Sequence, residues 1–212
     1  MTAATSPETQ RQQQDPDKVV RAGGWLFERR TWLPLPLALT LLVVRAWETP
    51  PSLPLTIAGI AVVALGEALR LWGVHHIGVI SRTRSDRLGP LVTSGPFGLV
   101  RNPLYLGNIA LWVGFALSGR LIWMVPVAVA VLGLQYHAIV RWEERLLASR
   151  LGDRYRSYLI SVPRWIPRVG AIAPPPAPAG RTWRETLFSE RGTLIAIATG
   201  YVLLWLKLKT QS

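Results

Sequence analysis

The chain has 212 residues, half of them hydrophobic, and carries 24 Lys and Arg against 12 Asp and Glu, a net charge of +12; its mean hydropathy is +0.25. This is one domain's worth of chain and too apolar for an ordinary soluble domain, so the expected class is an all-α, polytopic membrane protein. Cys 0 excludes disulfides, thiolate metal sites and a cysteine nucleophile, and three His leave little for a metal cluster.

Residues 1–24 are polar, rich in Gln, Thr and Asp, without the apolar core of a signal peptide, and are expected to be disordered. A membrane domain is expected over residues 25–168. Its first two apolar runs cover about Trp32 to Val44 and Leu53 to Val74, with Pro50, Pro51 and Pro54 marking the turn between them. A polar segment from Thr93 to Asn108 follows. Runs of about Pro103 to Leu117 and Leu121 to Val140 form a hairpin through Ser118-Gly119-Arg120. A second polar segment extends from Glu143-Glu144 through Gly152-Asp153-Arg154-Tyr155 and Tyr158 to Val162-Pro163-Arg164-Trp165-Ile166-Pro167. Residues 169–182, with Pro174-Pro175-Pro176-Ala177-Pro178, read as a stiff linker. Residues 183–212 contain a last apolar run, about Thr193 to Leu206, which is short for a crossing. The total is four or five membrane helices.

The hairpin returns the chain to the side it left, so the two polar segments are expected to meet at one face of the bilayer. Lys and Arg concentrate in the N-terminal arm, in the loop with Arg82, Arg84 and Arg87, and after the hairpin, whereas the opposite side shows mainly Arg45 and Arg120. That asymmetry predicts that both polar segments face the cytoplasm. It also gives the positive charge a bland source, loops beside anionic lipid, and no basic face interleaved with aromatics suggests nucleic acid. Lys207 and Lys209 would lie outside if the last run spans, which counts against a fifth crossing.

Asn102-Pro103 is helix-starting chemistry, with an amide that caps free N–H groups and a proline at the first helical position. The same helix end, beside Arg101, also suits a carboxylate or phosphate, and both readings stand. Gly95-Pro96 fits a turn that admits close approach of a ligand. Glu67 and Arg70, three apart in an apolar helix, can share a face and pair. Arg70 is a candidate substrate contact or a residue snorkelling to the membrane edge. His75 and His76 read as interfacial, and Trp25, Trp32, Trp72, Trp123 and Trp142 as an aromatic belt.

Ser94-Gly95-Pro96-Phe97, then Val100-Arg101-Asn102-Pro103-Leu104-Tyr105-Leu106-Gly107, the hairpin, Glu143-Glu144, Gly152-Asp153-Arg154-Tyr155, Tyr158 and Val162-Pro163-Arg164 resemble the isoprenylcysteine carboxyl methyltransferase and phospholipid methyltransferase superfamily. The likeness covers roughly residues 53–168. It implies an S-adenosylmethionine-dependent integral membrane methyltransferase, with the cofactor under a cytoplasmic helical lid and a lipophilic acceptor or lipid entering from the bilayer. Alanine- and arginine-rich usage suggests a bacterial cytoplasmic membrane. Gly95, Pro96, Arg101, Asn102, Tyr105, Gly107, Tyr155 and Tyr158 are then cofactor-binding candidates. Glu143, Glu144 and Arg164 are catalytic candidates, with one glutamate contacting the ribose or amino group of the cofactor and Arg164 gripping a carboxylate of cofactor or acceptor.

Two positions depart from the family pattern. Asn102 stands where His is usual, and Phe97 where Tyr is common. An amide hydrogen-bonds but does not titrate near neutral pH, so a binding role fits Asn102 better than acid–base chemistry. The chain offers no strong base, which favours a carboxylate acceptor, already ionised, or an amine head group. The alternatives are an NADPH-dependent reductase of sterol-reductase type and a catalytically inactive protein of the same fold.

Overall fold

The computed structural model describes residues 18–77, 91–168 and 182–210. The expectations for residues 1–17, for the Arg82–Arg87 loop and for the linker up to residue 181 lie outside them. The described residues form seven helices, one short 3-10 turn and no strand: α1 (Lys18–Arg29), α2 (Leu35–Val43), α3 (Leu53–Ile77), the turn Gly95–Gly98, α4 (Pro103–Ser118), α5 (Met124–Leu151), α6 (Asp153–Ser161) and α7 (Trp183–Lys209).

Three helices, α3, α5 and α7, are long and apolar enough to cross a membrane. Many of their side chains are exposed apolar groups, such as Leu53, Ile57, Leu65, Leu134, Ile195 and Val202, as hydrocarbon surroundings require. The hairpin helix α4 has 16 residues and reaches about 24 Å.

Two expected segments differ in extent. The first apolar run is helical only over the nine residues of α2, about 14 Å of a hydrocarbon layer about 30 Å thick. Pro34 and Pro36 set its start and separate it from α1. Residues 18–24, expected to be disordered, belong to α1. The last run is longer than its apolar stretch. A capping box at its start, with Glu185 N–H donating to Thr182 and Thr182 N–H to Glu185, extends α7 to 27 residues.

Lipid tails are as apolar as leucine, so helices in a membrane associate through close packing and polar contacts. The α3–α4 seam is built this way. Gly59 and Gly66 on α3 face Gly114 and Gly107 on α4, so closely that a Cβ on Gly66 would stand 2.9 Å from Gly107 O and from the Ala110 Cβ. Around α5, Leu121, Met124, Leu132 and Ile139 are fully buried.

At the end away from the polar segments, Lys207 donates to Leu41 O and Val44 O and pairs with Glu48 at 2.9 Å. Its charge is therefore buried and neutralised, which removes the objection to α7 as a crossing helix. Arg120 holds the same corner through Thr49 O at 2.7 Å.

Candidate active site

The two polar segments come together at the end where α3 and α5 finish and α4 begins. Gly95 opens the 3-10 turn at φ +58°, and a Cβ there would lie 2.5 Å from His76 Nε2, so both conformation and room require glycine. Pro96 and Phe97 are buried behind it. Gly152, at φ +57°, turns the chain from α5 directly into α6, which folds back as a cap.

Four hydrogen bonds fasten the cap to the 95–102 segment. The Tyr158 hydroxyl donates to Phe97 O at 2.7 Å. The Arg101 N–H donates to Pro163 O at 2.9 Å, and the Arg168 N–H to Leu99 O at 3.0 Å. The Asn102 amide donates to Arg164 O at 3.0 Å. Asn102 occupies the N-cap position of α4 without making a side-chain cap bond. Its side chain ties helix to cap instead.

Glu144 is the hub. It pairs with Arg101 at 3.0 Å and accepts from both Nε and Nη2 of Arg164, at 3.1 and 2.6 Å, a bidentate fork. The carboxylate gripped by Arg164 is thus the chain's own. Glu143 points elsewhere and accepts from the Tyr105 hydroxyl at 3.0 Å, while the Tyr105 ring stacks on Tyr136 at 4.6 Å.

Tyr155 and Tyr158 are buried under the cap with Val162. Burial, the largest cause, pushes both phenols well above the ordinary tyrosine value; Glu144 adds to the effect and Arg101 opposes it.

Gly107 and Arg70 face a different neighbourhood. Gly107 packs on α3, where a Cβ would meet the Arg70 stem at 2.5 Å. Arg70 pairs with Glu67 at 3.2 Å and Glu190 at 2.5 Å and donates to Thr193 and Asn108, a cluster joining α3, α4 and α7. The two neighbourhoods connect through Tyr136, which lies within reach of both Asn108 and Arg70.

His75 stacks on Trp183 at 4.1 Å and contacts Thr186 at 3.1 Å, and His76 contacts Trp72 O at 2.9 Å. Trp25 and Trp32 are exposed. Trp142, expected in the aromatic belt, packs on Phe27 at 4.9 Å because α1 lies along α5. Among the described residues, no group of three or more His, Cys, Asp or Glu is placed to hold a metal ion.

Arg30, Asn108, Tyr136 and Glu190 were not singled out from the sequence. A charge in an apolar helix, as at Glu190, was the available signal; Arg30 had none beyond its share of the N-terminal charge.

Two buried guanidinium nitrogens of the site, Arg101 Nε and Arg30 Nη1, have no hydrogen-bond partner within the protein. Unfilled charged donors of this kind fit a polar ligand bearing an oxyanion.

Several helices of membrane length, closed at one end by a helical cap over a half-buried Arg–Glu cluster, define a protein of the integral-membrane class. Residues 55–154, from α3 into the start of α6, match the model of the phospholipid methyltransferase family. The chain is 30% identical over 123 residues to the cobalt-zinc-cadmium resistance protein CzcN of Cupriavidus metallidurans, covering 58% of this chain and 52% of that one. It is 28% identical over 123 residues to the nickel-cobalt-cadmium resistance protein NccN of Alcaligenes xylosoxydans, covering 58% and 53%. It is 32% identical over 101 residues to phosphatidyl-N-methylethanolamine N-methyltransferase of Saccharomyces cerevisiae, covering 45% and 48%. The chain thus spans about half the length of these curated relatives. No solved structure matches it.

Proposed function

We propose that this chain is an S-adenosylmethionine-dependent membrane methyltransferase that acts on a lipophilic acceptor at the cytoplasmic face. One observation carries the reading: within and just beyond the family-matching segment, two stretches separated by the whole hairpin close on one half-buried cluster, Arg101–Glu144–Arg164, under a cap that rests on Gly95–Asn102.

Bound S-adenosylmethionine supplies an electrophilic methyl group on a sulfonium. The chain's part is then alignment and exclusion of water, the main demands of an in-line displacement. Gly95 and Pro96 would let the cofactor approach the backbone, with Tyr155 and Tyr158 as the dry wall of the cap. Glu144, already engaged by two guanidiniums, holds the cap in register. Glu143, held only by Tyr105 among the contacts above, is the carboxylate placed to accept from a ribose hydroxyl or an ammonium group. Asn102 and Arg164 would then shape the pocket from the cap's edge.

A groove of about 340 Å³ between α3 and α7, lined by Ile60, Val63, Ala64, Leu71, Leu194 and Ile197 with Glu67 in its wall, supports a hydrocarbon-bearing acceptor. Arg70 is the candidate contact for its polar end. The two acceptor classes, a carboxylate and an amine head group, differ in what the protein must do. Only the amine has to lose a proton first.

The test is transfer of labelled methyl from S-adenosylmethionine into a native lipid extract by purified protein. Label is expected in the organic phase and reduced about 10- to 100-fold by Glu143→Gln, the worth of one hydrogen bond to a charged group. Arg164→Ala is expected to lower it as well. Release of label as methanol under base identifies an ester, and base-stable label an amine product. No transfer and no cofactor binding overturns the reading, and NADPH oxidation in its place points to a reductase.

A further inference from the structure

We propose that Arg30, brought in by α1 from outside the family-matching segment, is an oxyanion-binding residue of the site under the cap. Packing and charge both support this assignment.

The packing fixes where the guanidinium stands. Gly23 lets α1 lie directly on α5, where a Cβ would come within 2.8 Å of Ala138 C and Trp142 Cβ. Phe27 then rests on Trp142, and the Arg30 guanidinium lies 3.9 Å over the Phe27 ring, a cation–π contact that holds its plane. So held, Arg30 lies in Coulombic range of Glu143, Tyr105 and Tyr136. It belongs to the same site as the motifs of the matched segment, although it lies 25 positions before that segment begins.

The charges leave something over. Arg101 and Arg164 share Glu144, and Arg30 lies in Coulombic range of Glu143, so these five groups count three positive against two negative. Arg30 Nη1 is buried without a hydrogen-bond partner. A buried charged donor left unfilled is unfavourable. A neutral acceptor would satisfy the N–H but not the surplus charge, whereas an oxyanion satisfies both. Two ligands could supply it: the amino-acid carboxylate of the cofactor, in which case the inference rests on the methyltransferase reading, or the phosphate of a lipid head group, in which case it does not.

The experiment uses two matched pairs of probes on the full chain and on Arg30→Ala. The first pair is S-adenosylhomocysteine and its decarboxylated analogue, compared by calorimetric binding. The second is phosphatidylglycerol and diacylglycerol with the same chains, compared by retention in native mass spectrometry. Expected is a loss of about 10- to 100-fold confined to the anionic member of one pair. Loss confined to the first pair assigns the cofactor carboxylate, and to the second the head-group phosphate. Equal loss within both pairs, or none, overturns the proposal, because a merely structural arginine does not distinguish the members. If Arg30→Ala does not fold, Arg30→Lys decides: it keeps the charge and loses the fork, so it is expected to show the same selectivity, smaller in size. Wild-type protein that binds neither nucleoside defeats the methyltransferase reading and the cofactor arm together, and the lipid pair alone then decides on Arg30.

Discussion

Glu144 sits between the guanidiniums of Arg101 and Arg164, and replacing it with Ala leaves two cations facing each other under the cap. Removal of one partner from a half-buried pair leaves charged donors unfilled, and Glu144→Ala is expected to destabilise the protein by about 1–3 kcal/mol, read as a fall in thermal unfolding temperature in detergent. An unchanged temperature would mean that the cluster is solvated. The tyrosines beneath the cap give a pH dependence of known sign. Burial raises both phenols, so the docked cap favours their protonated form. Their contribution to docking is fully present below the ordinary tyrosine value of about 10 and is lost as pH rises above it. The tyrosinate absorbance that the Tyr155→Phe, Tyr158→Phe double variant lacks is expected to develop only above the pH at which free tyrosine titrates, and its appearance at the ordinary value would contradict a dry cap. At this scale the sequence was informative about identity and less so about partners. Arg101, Glu144 and Arg164 could each be singled out by motif, yet Arg164 was expected to grip a ligand's carboxylate and instead grips Glu144. The pairing crosses twenty residues and a helix reversal that no local pattern encodes. Arg30 was invisible for the same reason, since only the lie of α1 on α5 brings it in.

The α3–α4 crossing is the element contact that sets the hairpin, and it tolerates nothing larger than glycine at its closest points. Gly66→Val is expected to cost about 1–3 kcal/mol by forcing the helices apart and to shift Arg70, whose stem packs on Gly107. A drop in stability that Gly133→Val does not reproduce is the check, because Gly133 has nothing within 4 Å of an added Cβ. Equal effects at the two positions would contradict the close crossing. The starts of α3 and α4 were legible to within a residue, because apolar onset and Pro103 mark them. The first apolar run was read as membrane length and the last as short for a crossing, and each differs from the structure for a separate physical reason. Charges at Arg184, Glu185, Glu190 and Arg191 dilute the hydropathy of α7, although the Thr182–Glu185 capping box was there to be read. Glu190 is 1% exposed because Arg70 lies against it. In α2, prolines cut short a stretch whose hydropathy alone resembles a crossing.

Across the whole molecule, charged groups gather in three places: the cap cluster, the Glu67–Arg70–Glu190 cluster along the α3–α7 seam, and the Glu48–Lys207 pair with Arg120 at the far end. The last explains how a basic end of α7 is accommodated away from the cap, since Lys207 is neutralised by Glu48 and hydrogen-bonded to carbonyls at the end of α2. The first is where methyl transfer is proposed to be organised, and the second links it to the lipid-facing groove through Asn108 and Tyr136. The direct test of this arrangement is ultraviolet crosslinking of labelled S-adenosylmethionine to the intact protein in lipid nanodiscs, followed by peptide mapping. Label is expected on peptides containing Gly95–Asn108 and Glu143–Arg164, and it is expected to be competed away by S-adenosylhomocysteine. Label confined to α7 or to the Glu48–Lys207 end, or no competable label at all, would contradict a cofactor site beneath the cap.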